Sequence, residues 1–106
     1  MKLSEAIIKG CEGTRKKIRE LVAGNKCCAL GAAGIGAGIP RNEVIYSRLS
    51  REFPILEIRA LHPITGVEDA VEEIIISLND NHRWPRLSIA EWVANVVEPQ
   101  FEKEAK

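Results

Sequence analysis

The sequence has few aromatic residues and no long apolar run. Two Trp, two Phe and one Tyr are the aromatic side chains among 106 residues, so a buried core must consist mainly of Ile, Leu, Val and Ala. The longest uncharged stretch, residues 27–40, is rich in glycine and shorter than the ~20 apolar residues that a membrane-spanning helix needs. The sequence therefore predicts an aliphatic core and no association with a membrane.

The cysteines are too few, and wrongly spaced, for a disulfide framework. An odd count that includes the adjacent pair Cys27 and Cys28 does not pair up readily. Reduced thiols are typical of cytosolic proteins, so we expect a cytoplasmic location. Structural zinc generally uses cysteine pairs separated by a few residues. Because Cys11, His62 and His82 add no such spacing, no metal site is predicted.

Positive and negative charges balance overall but not along the chain. The whole sequence has 15 Lys and Arg against 15 Asp and Glu, which argues against a general nucleic-acid-binding surface. Residues 1–59 carry eleven Lys and Arg against six Glu, giving +5, and residues 60–106 carry four against nine acidic residues, giving −5. The simplest interpretation is that the two halves attract each other, within one chain or across a dimer.

The positive charge is densest between residues 15 and 19. Arg15, Lys16, Lys17 and Arg19 form a solvated face or, alternatively, a patch for a partner that bears phosphate. Trp84 is a further candidate, because tryptophan is enriched at the energetic centres of protein interfaces. These five residues are the candidate interaction patch.

Apolar residues recur at helical spacing through most of the chain. Residues 3–11 carry the first such pattern, and Thr14 can cap a second, basic helix that Gly24 would end. The remaining segments with helical spacing are residues 27–38, 43–53, 67–78 and a last helix from Trp84–Pro85 to Pro99. The pattern predicts an all-α domain of about five helices.

Two further segments, residues 55–61 and the tail at 101–106, lie outside these helices. Residues 55–61 alternate apolar and charged side chains, so a short strand is one interpretation. A strand needs a partner, and no second candidate is evident, which favours an extended loop. We predict a single domain over residues 1–100, built around the Gly/Ala-rich helix, and a frayed charged tail at 101–106.

The glycine-rich helix has an unusual composition. Glycine lowers helix stability by about 1 kcal/mol relative to alanine, so Gly31 and Gly34, one turn apart, indicate that another backbone packs closely against this face. A dinucleotide-binding loop instead requires G-x-G-x-x-G between a strand and a helix. The order here differs and no strand is predicted before it, so no cofactor is expected.

Four short motifs resemble a group of uncharacterised small proteins from bacteria and their phages. The chain opens with the MKLSEAI sequence of residues 1–7 and carries CALGA at residues 28–32. It continues with LND at 78–80, followed by Trp84, and with IAEWV at 89–93. The resemblance implies a bacterial or phage origin but no activity. Where some members carry a cysteine pair, this chain reads LHPITG at 61–66, so no metal site is implied there.

Three functions follow from these observations. The leading prediction is a non-enzymatic interaction or accessory protein whose partner is another protein or a second copy of the chain. The first alternative is a cysteine-dependent enzyme or redox protein, in which a helix N-terminus activates Cys28 and His82 and Asp80 act as base and orienting group. The second alternative is a nucleic-acid accessory factor that uses Arg15–Arg19.

Overall fold

Helices account for 58% of the fold and strands for 12%, so the domain is mixed α/β and the prediction of an all-α domain is wrong. The structure, a computed structural model, describes residues 1–104. In that range the helices are α1 (Leu3–Cys11), α2 (Ala29–Gly36), α3 (Tyr46–Glu52), α4 (Val71–Asp80), α5 (Arg86–Trp92) and α6 (Glu98–Glu104). The π-helical segment Val93–Val97 joins α5 to α6, so the fold contains five separate helical rods.

The predicted basic helix after Thr14 is instead a small sheet. Its strands are β1 (Arg15–Lys16), β2 (Val22–Ala23) and β3 (Lys26–Cys27), in the order β1-β3-β2. β3 pairs with β1 in parallel and with β2 antiparallel. Gly24, which was expected to end a helix, has a φ of 64° and forms the tight turn of the β2–β3 hairpin. Pairing with distant backbone therefore overrides the local helical spacing.

The ambiguous segment at 55–61 is not an extended loop. It begins in a 3-10 helix, Pro54–Glu57, and continues as β4 (Arg59–Leu61). The partner that the sequence did not reveal is β5 (Glu68–Ala70), which pairs antiparallel with β4. The helix predicted from residue 67 begins at Val71, because Val67 lies in the connection between the strands and residues 68–70 form β5.

The Gly/Ala-rich helix α2 lies at the centre of the core. Apart from Ile35, every residue of α2 is buried. The predicted close backbone contact holds at Gly31, whose missing side chain leaves room for the carbonyl of Leu21. Gly34 faces the side chain of Val44 instead. No helix among residues 1–104 is long and apolar enough to cross a membrane.

The last helical rod continues beyond the proline that was expected to end it. Pro99 lacks an N–H and would clash with the carbonyl four residues earlier in an α-helix. The π-helical segment directly before it, in which the Glu98 N–H bonds to the carbonyl of Val93, relaxes that geometry. α6 then runs to Glu104, and Phe101 is half-buried. The frayed tail predicted at 101–106 is described only as far as Glu104, because residues 105–106 lie outside the described residues.

Candidate functional site

A buried asparagine joins the segments that the sequence motifs singled out. Asn79, at the end of α4, is 1% exposed. Its Oδ1 accepts a hydrogen bond from the N–H of Ala29 at 3.2 Å, and its Nδ2 donates to the carbonyl of Lys17 at 3.0 Å. Nδ2 also donates to Oδ1 of Asp80 at 2.8 Å. The LND motif, the start of α2 and the basic segment therefore meet at one side chain.

Cys28 caps α2 and is not an exposed thiol. Its Sγ accepts a hydrogen bond from the N–H of Gly31 at 3.4 Å, and the residue is buried. Burial raises the pKa of the Cys28 thiol, and this effect outweighs the backbone hydrogen bonds from Gly31 and Leu30, which lower it. The nearby Asp80 carboxylate raises the pKa further. The environment thus opposes the thiolate that a nucleophilic role needs.

His82 is oriented toward a different residue. Its ring lies 5.1 Å from the ring of His62, centroid to centroid. His62 Nδ1 accepts from the N–H groups of Ile64 and Thr65, and its Nε2 lies 3.0 Å from the Ser77 hydroxyl. Among residues 1–104, the His82 side chain forms no hydrogen bond with Cys28 or Asp80. The structure brings Asp80 close to Cys28 but does not connect His82 to either.

We expect Cys28 to react slowly with iodoacetamide. Because its pKa is raised, less thiolate is present at pH 7 than in free cysteine, and burial restricts access. The measurement is mass-spectrometric labelling of the native Cys11→Ser/Cys27→Ser variant, with the same variant in denaturant as the control. Native labelling as fast as that of free cysteine would contradict this account.

The basic segment and Trp84 contact each other. Lys16 Nζ donates to the carbonyl of Trp84 at 2.5 Å. Burial lowers the pKa of Lys16, and the neighbouring cations Arg83 and Arg86 lower it further. Arg19 bonds through its backbone N–H to Oδ1 of Asp80 at 3.0 Å. Positive charges are therefore crowded together beside Trp84.

A groove opens next to Trp84 along α5 and the π-helical segment. It has a volume of about 440 Å³. Its lining residues are Trp84, Pro85, Ser88, Glu91, Trp92, Asn95 and Val96. Trp92 is 8% exposed and Val96 48% exposed, so one forms the floor and the other a solvent-facing wall. We call this feature the tryptophan groove.

Arg86 is the residue that sequence reasoning missed. It is 9% exposed, and its Nη1 donates to Thr14 Oγ1 at 2.9 Å and to Sγ of Cys27 at 3.2 Å. Its Nη2 donates to the carbonyl of Thr14 at 2.8 Å. Arg86 thus fastens the three-stranded sheet, which carries the basic segment, to the helix that carries the groove. No periodic signal marks a buried arginine at a helix start.

A smaller cavity of about 230 Å³ lies between the start of α1 and the end of the chain's last rod. Glu98 lines the cavity, but both of its carboxylate oxygens accept hydrogen bonds from Ser4. One accepts from the Ser4 N–H at 2.9 Å and the other from the Ser4 hydroxyl at 2.8 Å. Glu102, also on its rim, pairs with Lys2 at 3.5 Å. The carboxylates of Glu98 and Glu102 are therefore paired within the fold.

Comparison with known proteins returned no relative: no protein family, curated protein sequence or solved structure matches this chain. The resemblance to small bacterial and phage proteins stays a prediction. The function is therefore inferred from the site alone.

Proposed function

We propose that this chain is a non-enzymatic interaction protein that holds a peptide segment of a protein partner in the tryptophan groove. The supporting observation is the groove itself, an open concavity of about 440 Å³ that places two tryptophans next to the exposed Val96 and to the polar side chains of Ser88, Glu91 and Asn95. Concave sites of this size accept anchoring side chains, and tryptophan is frequent among residues that dominate binding energy.

The local backbone adds support to this proposal. Asn95 and Val96 belong to the π-helical segment, and Trp92 precedes it directly. Single π-helical turns inside α-helices occur frequently at functional sites. By contrast, the alternative of a Cys28-dependent enzyme has a buried thiol with a raised pKa and no hydrogen bond to His82 among residues 1–104. The interaction role is therefore the one that the geometry favours.

The test is selection of tryptophan-free peptides from a random display library on the immobilised full chain. Both tryptophans of the chain line the groove, so a change in tryptophan emission on peptide addition reports on this site. We expect Val96→Gln to weaken binding of a selected peptide about tenfold, because about 1.5 kcal/mol of apolar burial is lost.

Leu87→Gln is the matched control, since Leu87 is 57% exposed on the same helix but does not line the groove. It should leave affinity within about twofold of the parent, a difference below ~0.5 kcal/mol. Failure to select any peptide that binds the parent better than Val96→Gln would refute the proposed function.

A further inference from the structure

A buried histidine organises the connection between β4 and β5. We call this connection, residues 62–67, the histidine loop. His62 follows β4 directly and is 7% exposed. Its N–H donates to the carbonyl of Val67 at 2.9 Å, and its carbonyl accepts from the N–H of Gly66 at 2.9 Å. The main chain of His62 therefore closes the loop into a hairpin.

The ring of His62 accepts two further N–H groups of this loop. Its Nδ1 accepts from the backbone N–H of Ile64 at 3.0 Å and from that of Thr65 at 3.2 Å. Because an imidazole nitrogen accepts only through its lone pair, the proton of the neutral ring must lie on Nε2. Nε2 then donates to the Ser77 hydroxyl of α4, 3.0 Å away. All of these hydrogen bonds form together only when the ring is neutral.

The surroundings of His62 oppose a charge on its ring. Burial lowers the pKa of His62, and the neighbouring His82, whose ring centroid lies 5.1 Å away, lowers it further. The Asp69 carboxylate in β5 has the opposite effect and raises this pKa. Ser77, which contacts the ring from α4, carries no charge. Neutral His62 is therefore the form that the folded loop selects.

We propose that His62 is an acid-sensitive switch of the histidine loop, in which a proton taken up from solvent at Nδ1 releases the N–H groups of Ile64 and Thr65. A protonated Nδ1 is a donor without a lone pair, so it cannot accept either hydrogen bond. Because two N–H groups left without an acceptor are costly unless water reaches them, the loop opens. Ile64 and Val67 are 54% and 62% exposed, so this opening rearranges apolar surface of the domain.

The direction of the pH dependence follows from the lowered pKa. In the unfolded chain a histidine titrates near its ordinary pKa of about 6.5, whereas His62 in the folded loop titrates at a lower pH. The stability that neutral His62 contributes is fully present above pH ~6.5 and is lost as the pH falls through the folded-state pKa. The loop is therefore closed at neutral pH and opens in acid.

NMR spectroscopy of the full chain tests the switch without any substitution, as the pH is lowered until the His62 ring is protonated. We expect the neutral ring to carry its proton on Nε2 and to titrate at a lower pH than in the urea-unfolded chain. The hydrogen-exchange protection factors of Ile64 and Thr65 should fall about tenfold along the same titration curve, the effect of losing one hydrogen bond. Ala33, buried in α2, is the internal reference and should keep its protection.

Two variants identify the group that senses the proton. His62→Asn removes the titration but keeps an acceptor, because an asparagine side-chain oxygen can bond the N–H two residues further on. The protection factor of Ile64 should then change less than about twofold with pH. The matched control is His82→Asn, which removes the exposed neighbouring histidine. It should keep the opening and move its midpoint to higher pH, because a charge that lowers the pKa of His62 is gone.

Three results would overturn this inference. One is protonation of His62 with unchanged protection of Ile64 and Thr65. Another is loss of protection at Ala33 at the same pH, which would mean that the whole domain unfolds. The third is a pH-dependent opening that persists in His62→Asn or disappears in His82→Asn, since either would make another group the sensor.

Discussion

Replacing Gly36 with alanine is expected to remove most of the stability of the fold. A Cβ at this position would collide with the backbone carbonyl of Ala6 in α1. The facing group is main chain, so no side chain can rotate to make room and the two helices must separate. Alanine would otherwise favour the helix by about 1 kcal/mol, so a large loss isolates the steric effect.

We expect the free energy of unfolding to fall by about 3–5 kcal/mol, a large part of what a small domain has. Urea unfolding followed by far-UV circular dichroism measures it. Gly13→Ala is the matched control, because a Cβ there meets nothing within 4 Å among the described residues. It should change stability by less than about 0.5 kcal/mol. Equal midpoints for Gly36→Ala and Gly13→Ala would contradict the close packing of α1 on α2.

Asn79→Ala is expected to lower the free energy of unfolding by about 3 kcal/mol. The substitution removes the hydrogen-bond partner of the buried N–H of Ala29 and of the partly buried carbonyl of Lys17. Each unsatisfied buried group costs about 1–3 kcal/mol. The measurement is again urea unfolding, together with hydrogen exchange at Ala29, whose amide should lose its protection.

Asn81→Ala provides the control for this second variant. Asn81 is two residues further along and exposed, so its replacement should cost less than about 0.5 kcal/mol. If the two variants unfold at the same urea concentration, the Asn79 hydrogen bonds contribute nothing net to the fold.

The sequence predicted the helices far better than the strands, for a physical reason. The helical spacing of apolar residues in α4 and the Gly/Ala-rich sequence of α2 are local signals. Both helices lie close to where the sequence predicts them. The strands have two or three residues each, too short to show a period of two. Their stability comes from pairing across the chain, as between β1 and β3, which no local pattern reveals.

The sequence named residues of the candidate site but not the contacts that join them. Lys16 was chosen for its charge and Trp84 for its residue type, and the structure joins them by a hydrogen bond. The Asp80 carboxylate helps to raise the pKa of Cys28, but His82 packs beside His62 instead. Arg86 was counted only as one more charge, because burial of an arginine depends on groups from elsewhere in the chain, here Thr14 and Cys27.

The π-helical segment limits how this surface can change. It adds about one residue to the turn, so deleting one residue there would restore an ordinary α-helical turn and keep the direction of the helix beyond it. In that turn Pro99 would clash with the carbonyl four residues earlier, so the extra residue has to stay. The exposed side chain of Val96 is under no such constraint. Variation in partner preference should therefore arise in the groove wall by substitution and not by deletion.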